Sequence, residues 1–416
     1  MHPPTDHAQA AALLRAAPIP AALRDVARIL HDAGHEAVVV GGAVRDVLLG
    51  RAHGDWDLAT SATPKEVQRL FRRTIPTGVA HGTVTVVHGS GDERLHLEVT
   101  TFRGEGRYED GRRPAEVRFL RDLREDLARR DFTINAFAWS PIREVFTDCF
   151  EGLSDLRRGI IRAVGDPAQR FQEDGLRAMR AVRLAAVLEY RLDEATADAI
   201  GGALDVLDKV SRERVHVELF KLLAARRPVL GLEPMAATGM WDRVLAPLPQ
   251  AERLAAIDHV ERLPPDPVIR LARLLWPLRD RRADIEAVID RLRPSRDERA
   301  RVLALTDPSL ASLATLRDPA AIRRVLAGLG RKYVADAVAL HSWEWAQAVT
   351  IDEAIRGAPL AVGELAIGGR ELVDAGLAVP GPRLGQILAE LLDWALEDPR
   401  RNTAEQLLAH LRGRAS

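Results

Sequence analysis

The stretch Val40–Leu58, VGGAVRDVLLGRAHGDWDL, decides the fold. It starts at the end of the apolar run Glu36–Val40 (EAVVV), passes through Gly41-Gly42 and closes on Asp55-Trp56-Asp57. The run reads as a short buried strand, residues 43–49 as a helix and 55–59 as a second strand. A Gly pair between strand and helix lets backbone approach a phosphate closely. The dinucleotide fingerprint G-x-G-x-x-G is excluded by spacing, because no third Gly follows in register. Asp55 and Asp57 point elsewhere. Alternate strand residues share a face, so the two carboxylates stand side by side while Trp56 turns into a core. Carboxylates that close repel each other unless a cation sits between them. Mg²⁺ suits them, since it takes one or two carboxylates together with substrate phosphate oxygens. Taken alone, the pair also reads as a solvated strand end.

Working outward, residues 21–34 form an amphipathic helix through Leu23, Val26, Ile29 and Leu30. Thr63-Pro64 starts a helix over 64–73, capped by Ser61 or Thr63. GTVTVVHG (82–89) and RLHLEVTTF (94–102) alternate as strands and predict a hairpin across 89–93. In the second, Leu95, Leu97 and Val99 share one face, and His96, Glu98 and Thr100 the other. Glu98 is either a third carboxylate for the site or a charge on an exposed strand face. Strands and helices mix up to about residue 150, and beyond residue 166 nearly everything carries helical periodicity. Pro264-Pro265-Asp266-Pro267 and Arg356–Pro359 read as breaks. His31-Asp32 lies at a helix end without the further spaced His and Asp of a metal phosphohydrolase.

The 416 residues suffice for two or three domains, and 47% hydrophobic with 29% charged residues is ordinary for a soluble globular protein. No run approaches eighteen apolar residues, so no membrane partner is expected. The N-terminus lacks a basic segment followed by a long apolar core. One cysteine, Cys149, excludes a disulfide framework and a Cys-based zinc site. The expected location is cytoplasmic. Net charge is −1, which does not advertise a nucleic-acid partner. Locally, however, residues 157–183 hold seven Arg against Asp166, Glu173 and Asp174. Arg suits phosphate and base-edge contacts through its planar fork.

Gly-Gly, twelve residues (43–54) and Asp-Trp-Asp-Leu together resemble the signature of the polymerase-β-like nucleotidyltransferase superfamily. GGAVRD (41–46), HGTVTV (81–86), EVTTFR (98–103), RRDFTINA (129–136), EDGLRAMRAVRLAA (173–186) and SRERVHVELFKLL (211–223) follow in order. They resemble the bacterial class II tRNA nucleotidyltransferases, the CCA-adding enzymes. Residues 365–396, from LAIGGRELVDAG to ELLDWAL, look like the tRNA-binding end of the Bacillus-type members. The resemblance implies an α+β architecture: a polymerase-β-like head of mixed sheet and helices, then all-helical neck, body and tail. The expected bounds are an N-terminal extension 1–20, head 21–150, neck 151–262, body 263–355 and tail 356–416. It also implies Asp55 and Asp57 as catalytic Mg²⁺ ligands, and tRNA, ATP and CTP as partners, with no protein partner. Gly42, Arg45, Arg130 and Asp131 would serve the triphosphate and ribose. Asp174, Arg177, Arg180 and Arg183 would form a ladder on one helix, its members three residues apart and therefore neighbours. The polar, Gly-rich Arg103–Arg118 resembles the family's flexible loop, which helps the switch from C to A.

The ladder's chemistry can be stated from the bases. Cytosine and adenine each present an amino donor beside an unprotonated ring nitrogen, whereas uracil and guanine present a carbonyl beside an N–H. Asp174 can accept from the amino group and Arg177 can donate to the ring nitrogen. A wrong base leaves buried polar groups unpaired, at about 1–3 kcal/mol per group. Arg180 and Arg183 would then face the triphosphate or brace the pocket. Three other readings stay open at this level. They are an A-adding tRNA enzyme working with a CC-adding partner, a bacterial poly(A) polymerase, and a noncatalytic RNA-binding protein on the same head. Gly78–Thr83 lacks the Gly-Arg-Arg/Lys-Phe element of the poly(A) polymerases, and intact Asp55 and Asp57 argue against a dead head.

Overall fold

The computed structural model describes residues 3–51, 56–89, 94–104, 119–248, 250–341 and 348–415. Asp55, residues 90–93 of the expected hairpin and residues 105–118 of the expected flexible loop lie outside them. The chain divides into two compact units, Met1–Val244 and Leu245–Ser416.

The first unit opens with α1 (His7–Ala16), N-capped by the Asp6 carboxylate, which accepts from the Gln9 N–H at 2.9 Å. After α2 (Ala21–Asp32) and α3 (Gly42–Leu48), helix α4 (Pro64–Leu70) starts on a capping box between Thr63 and Glu66. Seven strands make one sheet: β1 (Ala37–Val40), β2 (Asp57–Thr60), β3 (Thr74–Gly78), β4 (Thr83–His88), β5 (Leu95–Thr101), β6 (Phe137–Ser140) and β7 (Val145–Asp148). Their order is β3-β4-β5-β2-β1-β6-β7. β2 and β5 run parallel, whereas the other neighbours are antiparallel. β1 is buried throughout, as its unbroken apolar run requires. Val38, Val40, Ala59, Phe102, Leu127, Ala136, Ala138 and Val164 form a core against the sheet. The stretch expected to be an extension is structured: α1 buries Ala10 and Leu14 and packs on α3 and β7. Its Arg15 pairs with Glu144 at 2.6 Å.

Helices follow the sheet: α5 (Leu123–Ala128) within the head, then α6 (Gly152–Arg158), α7 (Pro167–Glu173), α8 (Leu176–Leu188), α9 (Glu194–Gly202), α10 (Leu204–Leu207), α11 (Arg212–Leu223), α12 (Val229–Ala237) and α13 (Met240–Val244). Two short strands, β8 (Ile160–Ile161) and β9 (Arg191–Leu192), pair in parallel beside them. α8 buries Leu176, Met179, Val182, Leu184 and Leu188 and packs on α11 and α12. The one-helix ladder needs a correction. Asp174 is not on α8; it sits in extended conformation (φ −146°, ψ 105°) between α7 and α8. Its carboxylate accepts from the Leu176 amide at the start of α8, and the residue between them is constrained to glycine. A Cβ on Gly175 would lie 2.4 Å from the Leu207 amide nitrogen, so α10 passes too close for any other side chain at this break.

The second unit consists of α14 (Gln250–Val260), α15 (Pro267–Leu275), α16 (Arg282–Leu292), α17 (Arg296–Leu305), α18 (Pro319–Leu329), α19 (Arg331–His341), α20 (Ala348–Ile355), α21 (Gly369–Asp374), α22 (Pro382–Glu397) and α23 (Ala404–Ala415). Pro264–Pro267 is the entry to α15, where the Asp266 carboxylate accepts from the Val268 and Ile269 amides. Buried Arg323 on α18 donates to the carbonyls of Ala354, Leu396 and Glu397, satisfying the C-terminal turns of α20 and α22 at once. Among the described residues, no helix is long and apolar enough to cross a membrane.

Packing of α12 on α8 depends on Gly231, where a Cβ would lie 2.4 Å from the Val182 carbonyl oxygen. Gly231→Ala is expected to destabilise the first unit by about 1–3 kcal/mol. The denaturant midpoint of the variant against the parent measures this, and an unchanged midpoint would refute the contact.

Candidate active site

β1 ends at Val40, which pairs with Asp57, the first residue of β2. Gly41 therefore turns the chain beside the start of β2, with φ 78° and ψ −141°, a left-handed conformation that favours glycine. Two guanidinium groups lie against this turn. A Cβ on Gly41 would be 3.3 Å from Arg130 Nη1, and one on Gly42 would be 3.5 Å from Arg45 Nη2. Gly41 thus leaves room for Arg130, whereas the Arg45 guanidinium sits at ordinary contact distance from Gly42; both are the cations expected to serve the triphosphate. Arg45 is buried and donates to the Asp46 carboxylate at 2.8–2.9 Å and to Asn135 Oδ1 at 2.5 Å.

On the other side of β2, Asp57 is in register with Glu98 of β5. The strands are parallel, so the two carboxylates emerge level on one face, and both residues are exposed. Among the described residues no three His, Cys, Asp or Glu side chains converge as a cation site. Asp57 and Glu98 border a cleft of about 460 Å³, lined also by Trp56, Ile75, Thr77, Thr85 and His96; Trp56 is buried as expected yet reaches this wall.

A chain of charges joins the head to α8. Asn135 Nδ2 donates to Asp131 Oδ1 at 3.1 Å, and Arg180 donates to Asp131 Oδ2 at 2.6–2.8 Å. Burial works against the Asp131 charge, yet Arg180 and Asn135 hold its carboxyl at about 2. Arg183 pairs with buried Glu218 of α11 at 2.5 Å. Arg130 and Arg129 both bind the buried Asp126 carboxylate, at 3.2 and 2.6 Å. Burial opposes that charge too, and the two arginines together hold its carboxyl below the ordinary value.

Asp174 and Arg177 do not pair with each other. Asp174 Oδ1 accepts from the Leu176 amide at 3.0 Å and Oδ2 from Arg214 Nη2 at 3.1 Å. Arg177 Nη1 binds Glu173 at 2.5 Å and the Arg170 carbonyl at 3.0 Å, while Nη2 binds the Arg129 carbonyl at 2.8 Å.

The comparisons agree with this geometry. Residues 37–162 match the family described as the poly A polymerase head domain, and residues 189–253 the probable RNA and SrmB-binding site of polymerase A. A CCA-adding enzyme of Pediococcus pentosaceus is 37% identical over 401 residues, covering 92% of this chain and 96% of that protein. The chain belongs to the CCA-adding enzymes, a family of tRNA nucleotidyltransferases. A CCA-adding enzyme of Lactiplantibacillus plantarum is 38% identical over 395 residues, covering 93% of this chain and 94% of that one. The Bacillus stearothermophilus CCA-adding enzyme, solved in complex with CTP, superposes with a TM-score of 0.75 at 29% identity, over 96% of this chain and 98% of that one.

In this CCA-adding enzyme the structure gathers Gly42, Arg45, Asp57, Arg130 and Asp131 at one end of the sheet. It brings Arg177, Arg180 and Arg183 alongside on α8, and sets Asp174 at the break before that helix. Asp55 lies outside the described residues. Sequence reasoning missed the supports: Asp126, Asn135, Glu173, Arg214 and Glu218. Two of them carried a signal, because Asp126 stands three and four residues before Arg129 and Arg130, and Glu173 four before Arg177. Arg214 and Glu218 sit on α11, a different helix, and no spacing within the EDG segment points to them.

The Asp131 shift has a direction in stability. Its folded value lies below the ordinary 3.8, so its stabilisation is complete above that pH and is lost as pH falls toward about 2. Asp131→Asn is expected to be less stable than the parent at neutral pH, with the gap closing across that acid window. Unfolding midpoints of both proteins at a series of pH values check this; a constant gap would count against the ion pair.

Proposed function

We propose that this chain adds C, C and A stepwise to the 3′ end of tRNA from CTP and ATP, releasing pyrophosphate, with protein side chains in place of a nucleic-acid template. The observation that carries this reading is the level pair Asp57 and Glu98 beside a Gly-Gly turn backed by Arg45 and Arg130. The names of the relatives, and the CTP bound in the Bacillus stearothermophilus complex, support the substrates. The same reading puts the protein in the cytoplasm with those substrates.

The donor set fits Mg²⁺, since the carboxylates of Asp57 and Glu98 offer hard oxygen ligands to one space, and Asp55 precedes Asp57 by two residues. Bound there, the ion would activate the attacking hydroxyl and balance charge on the leaving pyrophosphate. The chain's own groups position the reactants. The new bond joins the tRNA 3′-oxygen to the α-phosphorus. The bond from that phosphorus to the β-bridging oxygen breaks, its electron pair leaves with pyrophosphate, and the hydroxyl proton is released. Arg130, at the Gly41 turn, offers charge-assisted hydrogen bonds to the triphosphate. Arg45, bonded to Asp46 and Asn135, holds that turn in place. Arg180 locks Asp131 so that α8 keeps its distance from the phosphate site.

The base-reading assignment rests on Asp174 and Arg177 acting side by side. Asp174 keeps acceptor capacity beyond its two bonds, and the five N–H donors of Arg177 exceed the three contacts described. Arg214 and Glu173 hold the two readers. Arg183, paired with Glu218, ties α8 to α11.

Purified protein, a tRNA ending at its discriminator base and labelled CTP and ATP test the whole reading. Three additions using both nucleotides are expected. Addition of A alone to a CC-ended tRNA would make it an A-adding enzyme, and long A tails on unrelated RNA a poly(A) polymerase. Asp55→Ala and Asp57→Ala are each expected to abolish addition with the unfolding midpoint unchanged; full activity in either refutes the metal assignment. Asp174→Ala is expected to lose discrimination against UTP or to lose activity. Strict C and A selectivity at the parent rate would assign base reading to another group.

A further inference from the structure

The sheet order puts β2 between two different surroundings. On its β1 side lie Gly41, Gly42, Arg45 and Arg130, and the charge chain leads from there to α8. On its β5 side lie Glu98 and then the cleft of about 460 Å³ built on β3, β4 and β5. In-line phosphoryl transfer places the attacking and leaving oxygens on opposite sides of the phosphorus. If pyrophosphate departs toward the cations at Gly41-Gly42, the hydroxyl must enter from the β5 side. We propose that this cleft seats the 3′-terminal nucleoside of the tRNA, with Ile75 and His96 as its contact residues. The assignment rests on the function proposed above.

The lining suits that occupant. Ile75 is 42% exposed, a large aliphatic side chain left open on the face next to two carboxylates. It offers a flat apolar surface to a base. His96 stands two residues before Glu98 on the same face of β5 and is exposed, within reach of a ribose or its phosphate. The hydroxyls of Thr77 and Thr85 bond to each other at 2.9 Å and make the floor polar. The volume falls in the range of small-ligand sites. What the lining omits also fits. The terminal nucleoside changes through the cycle from the discriminator base to C and then C again. A seat for it must accept any base, and a lining with Ile75, two threonines and no guanidinium beside its carboxylates does so, whereas a carboxylate-guanidinium pair would not. Selection therefore belongs to the neck and acceptance to the sheet, on opposite sides of Asp57.

The test separates the two sides. Steady-state extension of a tRNA lacking CCA gives KM for tRNA, and equilibrium titration without tRNA gives Kd for CTP. Ile75→Asp and His96→Ala are each expected to raise KM for tRNA about tenfold, the scale of a lost base contact. Kd for CTP is expected to stay within about twofold, and Ile75→Val to restore the parent KM. A tRNA ending in 4-thiouridine, irradiated with the protein, is expected to cross-link within β3–β5. An unmoved tRNA KM in both Ile75→Asp and His96→Ala would overturn the seat. So would an equal loss of CTP binding, or cross-links confined to α8 and α11. These outcomes differ from failure of the function itself, in which the parent protein would extend no tRNA at all.

Discussion

The ion pair between Asp131 and Arg180 is the constraint on which the site depends. It joins the turn before β6 to α8 through a part-buried pair of charged groups. Asp131 also accepts from Asn135, and Asn135 accepts from Arg45, whose guanidinium lies against Gly42. One continuous line of hydrogen bonds therefore runs from Arg45 of α3, just after the Gly41-Gly42 turn, to α8. A buried carboxylate is costly unless it is fully satisfied. This one is satisfied only when head and neck stand in one relation, so desolvation enforces the geometry that chemistry needs.

Elsewhere in the first unit close backbone approach does comparable work. Gly41 lets an arginine lie against the turn, Gly175 lets α10 pass the break before α8, and Gly231 lets α12 meet α8. Each removes a Cβ where two segments converge. The arginines then fill the space between segments, held in most cases by a carboxylate on a neighbouring element.

Much of this was legible in the sequence. Alternation located β4 and β5 and put Glu98 on the open face, and an unbroken apolar run located buried β1. Thr63-Pro64 marked the start of α4, which the structure caps through Thr63 and Glu66. What pattern reading lacked was long-range pairing. Nothing local says that β2 runs parallel to β5, which is what sets Asp57 level with Glu98. Strand β3 was missed because Thr74–Gly78 is an edge segment with Pro76 and little burial. The break at Asp174 has no local signal: Asp174 is bonded to Arg214 of α11, and the space at Gly175 is set by α10, about thirty residues on. The partners of Asp174 and Arg183 likewise come from α11.

The separate anchoring of Asp174 and Arg177 bears on how such a selector can be redesigned. Each reader is held by a group of opposite charge from its own neighbourhood, Arg214 for one and Glu173 for the other. Exchanging the two readers to accept the other pair of bases would set a guanidinium against Arg214 and a carboxylate against Glu173. Like charges would then face each other at both anchors. On the proposed reading, the accepted base would be written in Glu173, Asp174, Arg177 and Arg214 rather than in the two readers alone, and changing it would take concerted substitution on α7, α8, α11 and the break between the first two.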